Sequence, residues 1–320
     1  MPRRLAISTF DDRRRLRRPV RRHVAVVALL LPSMFGGGCC FWRQQNPVDE
    51  QVLLSRQFTQ QGVNALERQN LDDAERLCSE AVRAAPDDAE ARSSYADVLW
   101  ARNRRQDALH QMQTALDREP SDSNLLLRTA SMQLDMALTD DALRNTQRAI
   151  DQNPKSAQAW VLRGRIHRHV GSVPQALADF QRALSYEPRN QEALEQAASI
   201  CTERGNPHRA LVYLQALADT YPTGEEPQSL YIAEGLAYAA MQRHAEAATA
   251  LAGACRGPAP GADALLLLAE AQTAAGRPGE AFATAQRAMA AAPNDARCQA
   301  LFDRTQVALQ PGSAGGTLRR

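Results

Sequence analysis

Aromatic residues make up only 5% of this 320-residue chain, although 44% of it is apolar. A core built on large rings is therefore excluded, and close packing of Ala and Leu is expected instead. Lysine is almost missing: Lys155 is the single one, and the other basic residues are Arg. No CxxC pair occurs, and none of the six Cys (39, 40, 78, 201, 255 and 298) stands with His at zinc spacing,. Cys78, Cys201, Cys255 and Cys298 are expected to be small buried apolar residues. There is no GxSxG, Walker loop or GxGxxG,. His110, His208 and His244 are isolated, and His167 and His169 are two apart on a helix, so they point away from each other. The acidic pairs Asp72-Asp73 and Asp140-Asp141 stand where helices would begin, which suits the helix dipole. No catalytic set, cofactor or metal is expected.

The net charge of +2 conceals an asymmetry. Ten of the 38 basic residues, but only two of the 36 acidic ones, fall within residues 1–46. That leaves 28 basic against 34 acidic residues over the rest, a body of about −6. An acidic body repels phosphate, so no nucleic-acid partner is expected. The Arg-rich start is followed by an apolar run from Val24 to Phe35 and then by Gly36-Gly37-Gly38-Cys39-Cys40. This order is the plan of an export signal, and the run is short for a membrane span. The junction resembles the lipobox of bacterial lipoproteins, which implies lipid on Cys39, or alternatively Cys40. Gly36 stands where that motif usually has Leu. An uncleaved anchor, simple secretion, or a basic arm kept in the cytoplasm remain alternatives. Residues 1–39 are read as signal or membrane anchor and 40–54 as linker.

What recurs is more telling. Pro86, Pro120, Pro154, Pro188 and Pro222 are 34 residues apart, and Ala74, Ala108, Ala142, Ala176 and Ala210 keep the same step. A 34-residue period with Ala at 20 and Pro at 32 resembles the tetratricopeptide repeat family. Repeat 4 reads Trp160, Gly164, Ala176, Phe180, Ala183 and Pro188 at positions 4, 8, 20, 24, 27 and 32, and departs only at Arg163 (7) and His167 (11). Repeats at 55–88, 89–122, 123–156, 157–190 and 191–224 run without gaps. After a three-residue insertion come 228–261 and 262–295, then a capping helix 296–309 and a disordered tail 310–320. The resemblance implies an all-α, right-handed superhelical solenoid. Small residues at 8 and 20 would mark where the two helices of a unit cross. Pro at 32 ends the second helix, and Asp88, Asp122, Ser156, Asn190 and Asp295 are ready N-caps. Ala300, Leu301, Val307 and Leu309 would cover the last repeat.

In that family the first helix of each unit lines a concave groove that holds a protein or peptide ligand. By this resemblance positions 2, 5, 6, 9, 12 and 13 face the groove. They give Trp100 early, Arg128, Arg165, Arg168 and His169 at the centre, Glu192, Glu195 and Glu203 beside it, and Ile232, Leu236 and Leu266 at the end. Trp100 is either an anchor or a packing residue, the basic centre either a ligand contact or a solvated face, and the apolar end either groove or core. Lys at position 5 with Asn at position 9, which some family members use to clamp a carboxylate, is absent. The expectation is a scaffold rather than an enzyme, tethered in the bacterial envelope, or alternatively a cytoplasmic regulatory subunit.

Overall fold

The computed structural model describes residues 47–309, Pro258 apart. Among them lie fifteen helices and no strand. They are α1 (Pro47–Glu67), α2 (Leu71–Ala84), α3 (Ala89–Ala101), α4 (Arg105–Arg118), α5 (Ser123–Asp135), α6 (Thr139–Gln152), α7 (Ala157–His169) and α8 (Val173–Tyr186). There follow α9 (Gln191–Glu203), α10 (Pro207–Ala218), α11 (Gln228–Ala240), α12 (His244–Ala254), α13 (Ala262–Ala274), α14 (Pro278–Ala291) and α15 (Ala296–Leu309). Each odd helix packs on the even one after it, and each even one on the next odd one. The result is an all-α solenoid of helix pairs. The region 1–39 expected to be a signal or anchor, Cys40 and the tail 310–320 lie outside the described residues.

Helix α1 corrects the expected linker over 40–54, because residues 47–54 are helical. Pro47 suits a first turn, where its missing N–H is not needed. Ser55 is wholly buried and donates to Asp88 Oδ2 at 3.4 Å, which ties α1 to the start of α3.

The helix pairs close on small residues. Ala74, Ala108, Ala142, Ala176, Ala210, Ala247 and Ala281, all at position 20, have no exposed surface. Position 8 meets position 24 more closely than it meets position 20, which refines the expected crossing. A Cβ on Gly164 would lie 2.8 Å from Phe180, and one on Gly235 would lie 2.5 Å from Leu251. At Gly62 the added atom would meet Cys78 Sγ at 2.4 Å, with the Ala74 carbonyl at 3.6 Å. Phe180 and Leu251 are almost wholly buried, so they cannot move aside cheaply.

The ends of the helices explain the punctuation. Asp88, Asp122, Ser156 and Asn190 each accept a backbone N–H from the first turn of α3, α5, α7 and α9. Helices α11 and α13 start at Pro227 and Gly261 without a side-chain cap. The turn after each odd helix carries a device the sequence hides. Gln69, Asn103, Ala137, Gly171, Gly205, Gln242 and Gly276, all at position 15, have φ between 59° and 77°. In the first such turn Gln69 N–H donates to the Leu66 carbonyl and Asn70 N–H to that of Ala65, each at 2.9 Å. This is the Schellman pattern, and the other six turns repeat it. Glycine fits there freely, whereas Ala137 does so at a cost.

At the C-terminal end α15 covers the last pair with Cys298, Leu301 and Thr305, all buried, and with Phe302 against Phe282 at 5.2 Å. Ala300, Val307 and Leu309 are exposed instead, because the face of α15 turned to α13 and α14 is set by the continuing register.

Two outcomes follow for stability. Gly164→Leu drives a side chain into Phe180 and should cost about 1–3 kcal/mol or more. Phe180→Ala in the same chain should recover part of the loss, because the two sites touch; additive urea-melt midpoints would refute the contact. Ala137→Gly should instead raise the urea midpoint by about 1 kcal/mol of stability, and a lower midpoint would contradict the left-handed turn.

Candidate functional site

The odd helices present one continuous face, and two neighbouring hollows open on it. The first, about 240 Å³, is lined by Leu127, Arg128 and Ser131 of α5, by Gln158, Val161, Leu162 and Arg165 of α7, and by Asn190 and Glu192 at the start of α9. Its floor is apolar: Leu127, Val161 and Leu162 are 4–6% exposed. The second, about 420 Å³, is lined by Leu134, Asp135, Arg165, Arg168, His169 and Gln196. Arg165 borders both. These side chains meet because they recur at positions 2, 5, 6, 9, 12 and 13 of helices set 34 residues apart, so the 3.6-residue period turns them to one side.

The charges on this face are largely spent on one another. Arg128 pairs with Asp97 and donates to the Ser93 carbonyl at 3.1 Å. Arg168 engages Gln196, the Ser199 hydroxyl at 3.0 Å and Glu203. Arg165 approaches Glu192 at 3.5 Å. The ladder resumes at the far end, where Arg297 pairs with Asp263 at 2.9 Å and Arg304 with Glu270 at 3.7 Å. The basic centre and its acidic neighbour are therefore not separate patches, as the sequence order suggested. The solenoid brings them together across adjacent helices. Burial pushes the Asp97 carboxyl above its usual range, and pairing with Arg128 only partly opposes this. His169 and Glu195 are exposed and hold no ion pair among the described residues.

The remaining candidates divide. Trp100 is half-buried against the core formed by α3 to α7, with Arg105 stacked 5.4 Å from its ring centre, so it serves packing as well as surface. Leu236 is 43% exposed. Ile232 is partly buried against the core of α12 to α15. Leu266, at 7% exposure, packs in that core, as buried as its position-5 equivalents Leu127 and Val161. The apolar run of α13 buries Leu265, Leu266 and Leu268 alike, because α12, α14 and α15 surround it on several sides.

One cluster escaped the sequence reading. Asp179 is 5% exposed and takes both Arg163 Nε at 2.9 Å and Nη2 at 2.7 Å, a bidentate pair. His167 Nε2 stands 3.6 Å away. Arg163 also donates to Gln147 on α6 at 2.7 Å and stacks over Trp160 at 4.5 Å. The two departures from the repeat pattern, Arg163 and His167, thus share one partner on α8. A signal existed: both lie on one helical face, opposite an Asp at position 23. The four described Cys are free and buried. Burial, then Asp97, pushes the Cys78 thiol up to about 11, which suits a packing residue rather than a nucleophile. Among the described residues no group of three His, Cys, Asp or Glu is placed to hold a metal.

Comparison with known proteins supplies the family. Tetratricopeptide repeat models match residues 65–130 and, for a second model, 127–178, 170–225 and 232–296. No curated protein matches the chain. Among solved structures, the C-terminal part of a TPR repeat-containing protein from Cytophaga hutchinsonii is 12% identical with a TM-score of 0.63, covering 76% of this chain and 98% of that one. Pseudomonas aeruginosa pilF is 14% identical with a TM-score of 0.53, covering 82% and 100%. YrrB, a TPR protein with an unusual peptide-binding site, is 16% identical with a TM-score of 0.52, covering 59% and 96%. At these identities the likeness is one of fold. The 34-residue step, the helix pairs and the matched repeats together make this chain a member of the tetratricopeptide repeat family.

Proposed function

We propose that the solenoid is a non-catalytic adaptor that holds an extended segment of a partner protein on the face formed by α5, α7 and α9. The observation that carries this is the pair of adjoining hollows, one with an apolar floor and a polar rim. An extended chain projects alternate side chains at regular intervals, so two neighbouring recesses can each receive one. YrrB shows that this fold can present a peptide-binding site. The family mediates protein–protein contacts, and the unsatisfied need of such a face is a ligand rather than a reactant.

The proposal extends to location. The Arg-rich start, the apolar run and the Gly-Cys junction support export to the bacterial envelope and tethering through lipid on Cys39. Among the described residues no helix is long and apolar enough to cross a membrane. Two acyl chains, rather than one, are what stable anchoring requires. The tethered solenoid would then assist assembly of an envelope complex.

A photocrosslinking residue at Gln158, on the rim of the first hollow, should yield adducts with a partner protein in cells. One at Gln113, exposed on α4 away from this face, should not; equal adducts from both positions would reject the face. Palmitate labelling should mark the wild type and be lost in Cys39→Ala. Label lost only in Cys40→Ala would move the site, and no label in the wild type would end the lipoprotein reading.

A further inference from the structure

Three arginines stand on the face of the two hollows, and the structure treats one of them differently. Arg128 is held through Nη2 by a carbonyl and a carboxylate. Arg168 uses Nη1 for Gln196 and Nη2 for Ser199 and Glu203. Both are braces between consecutive odd helices. Arg165 approaches Glu192 with Nε nearest, at 3.5 Å, and its side chain is 37% exposed. Its Nη1 and Nη2 have no hydrogen-bond partner among the described residues. A guanidinium carries five donors in a rigid fork, and the Nη1–Nη2 edge matches a carboxylate in bidentate fashion. That edge is the one left over.

We propose that Arg165 determines the specificity of this face: it takes an Asp or Glu side chain of the partner segment end-on, while an adjacent apolar side chain enters the hollow floored by Leu127, Val161 and Leu162. The inference rests on the peptide-binding reading above and names its ligand chemistry. Glu192 does not have to leave, because Nε and the Nη edge are different sides of one planar group. The guanidinium then lies between two carboxylates and offsets their repulsion.

The full chain is panned against random peptides fused through their C-termini to a display protein, so that no free carboxyl end is offered. Enriched peptides should carry Asp or Glu next to Leu, Ile, Val, Met or Phe. Synthetic amidated versions should bind Arg165→Gln roughly 10- to 100-fold more weakly, the loss expected for a hydrogen bond to a charged group. Arg165→Lys should recover little, because an ammonium cannot form the fork. The melting temperature should hold in Arg165→Gln, which separates a lost ligand contact from a folding defect. Enriched peptides without acids, or unchanged affinity for Arg165→Gln, would overturn the role of Arg165 while leaving the peptide-binding face standing. Enrichment only from a library with free C-termini would assign the carboxylate to a chain end and overturn the side-chain source. No enrichment by the wild type would remove the peptide-binding reading and this inference with it.

Discussion

Small residues let the two helices of each pair approach closely, and the remaining features depend on that contact. At position 20 seven alanines have no exposed surface, and at position 8 Gly62, Gly164 and Gly235 leave no space for a Cβ. The residue opposite fills the space that the small one vacates: Phe180 over Gly164, Leu251 over Gly235. Where position 8 is Ala, as at Ala130 and Ala269, its counterparts Thr146 and Ala285 are smaller. Ala96 faces the unbranched, adaptable Met112. Such pairs keep the space between the two helices filled, although Gly62 meets the small Cys78 and Ala198 stands opposite Leu214. Each pair cannot bury its apolar side alone, so it packs on its neighbours,. That packing sets how far apart the odd helices stand, and hence the width of the hollows between them.

Polar contacts then fix the stack without contributing much to its energy. The pairs Arg128–Asp97, Arg168–Glu203 and Arg297–Asp263 span consecutive odd helices and remain partly exposed. Exposed pairs of this kind are each worth about 0–1 kcal/mol. Their effect is to hold register and to neutralise the face that a ligand meets. The cluster around Asp179 is different, since its carboxylate is nearly out of water. Removing one partner of such a pair leaves a buried charge, at a cost of about 3–5 kcal/mol. Through Gln147 the same Arg163 reaches back to α6, so one buried carboxylate joins α7 and α8 to the unit before them.

Seen this way, the face is built from what the packing leaves unused. Arg128 and Arg168 are consumed by the stack, Leu266 by the core, and Trp100 is shared between core and surface. The recesses lined by α5, α7 and α9 are what remains available to a partner. A family fold supports many ligands, and the difference between members lies in these few side chains.

Fold class and unit length are written in local signals. Pro at 32, Ala at 20 and the caps Asp88, Asp122, Ser156 and Asn190 act locally, through missing N–H groups, small volume and first-turn hydrogen bonds, so a one-dimensional reading can find them. The family resemblance put Arg128, Arg165, Arg168 and His169 on one face of their helices, and the structure brings them to the two hollows. Which partners those residues take depends on how the helices stack. Ion pairs such as Arg168–Glu203 and Arg163–Asp179 join residues on different helices, and the sign and spacing along the chain do not say which charges will meet. The burial of Leu266 depends on the helices that surround α13, and the left-handed turn at Ala137 is imposed by the pairing of α5 with α6 on a residue that would not choose it. Local chemistry is legible in order of sequence; competition for partners is settled only when the helices are stacked.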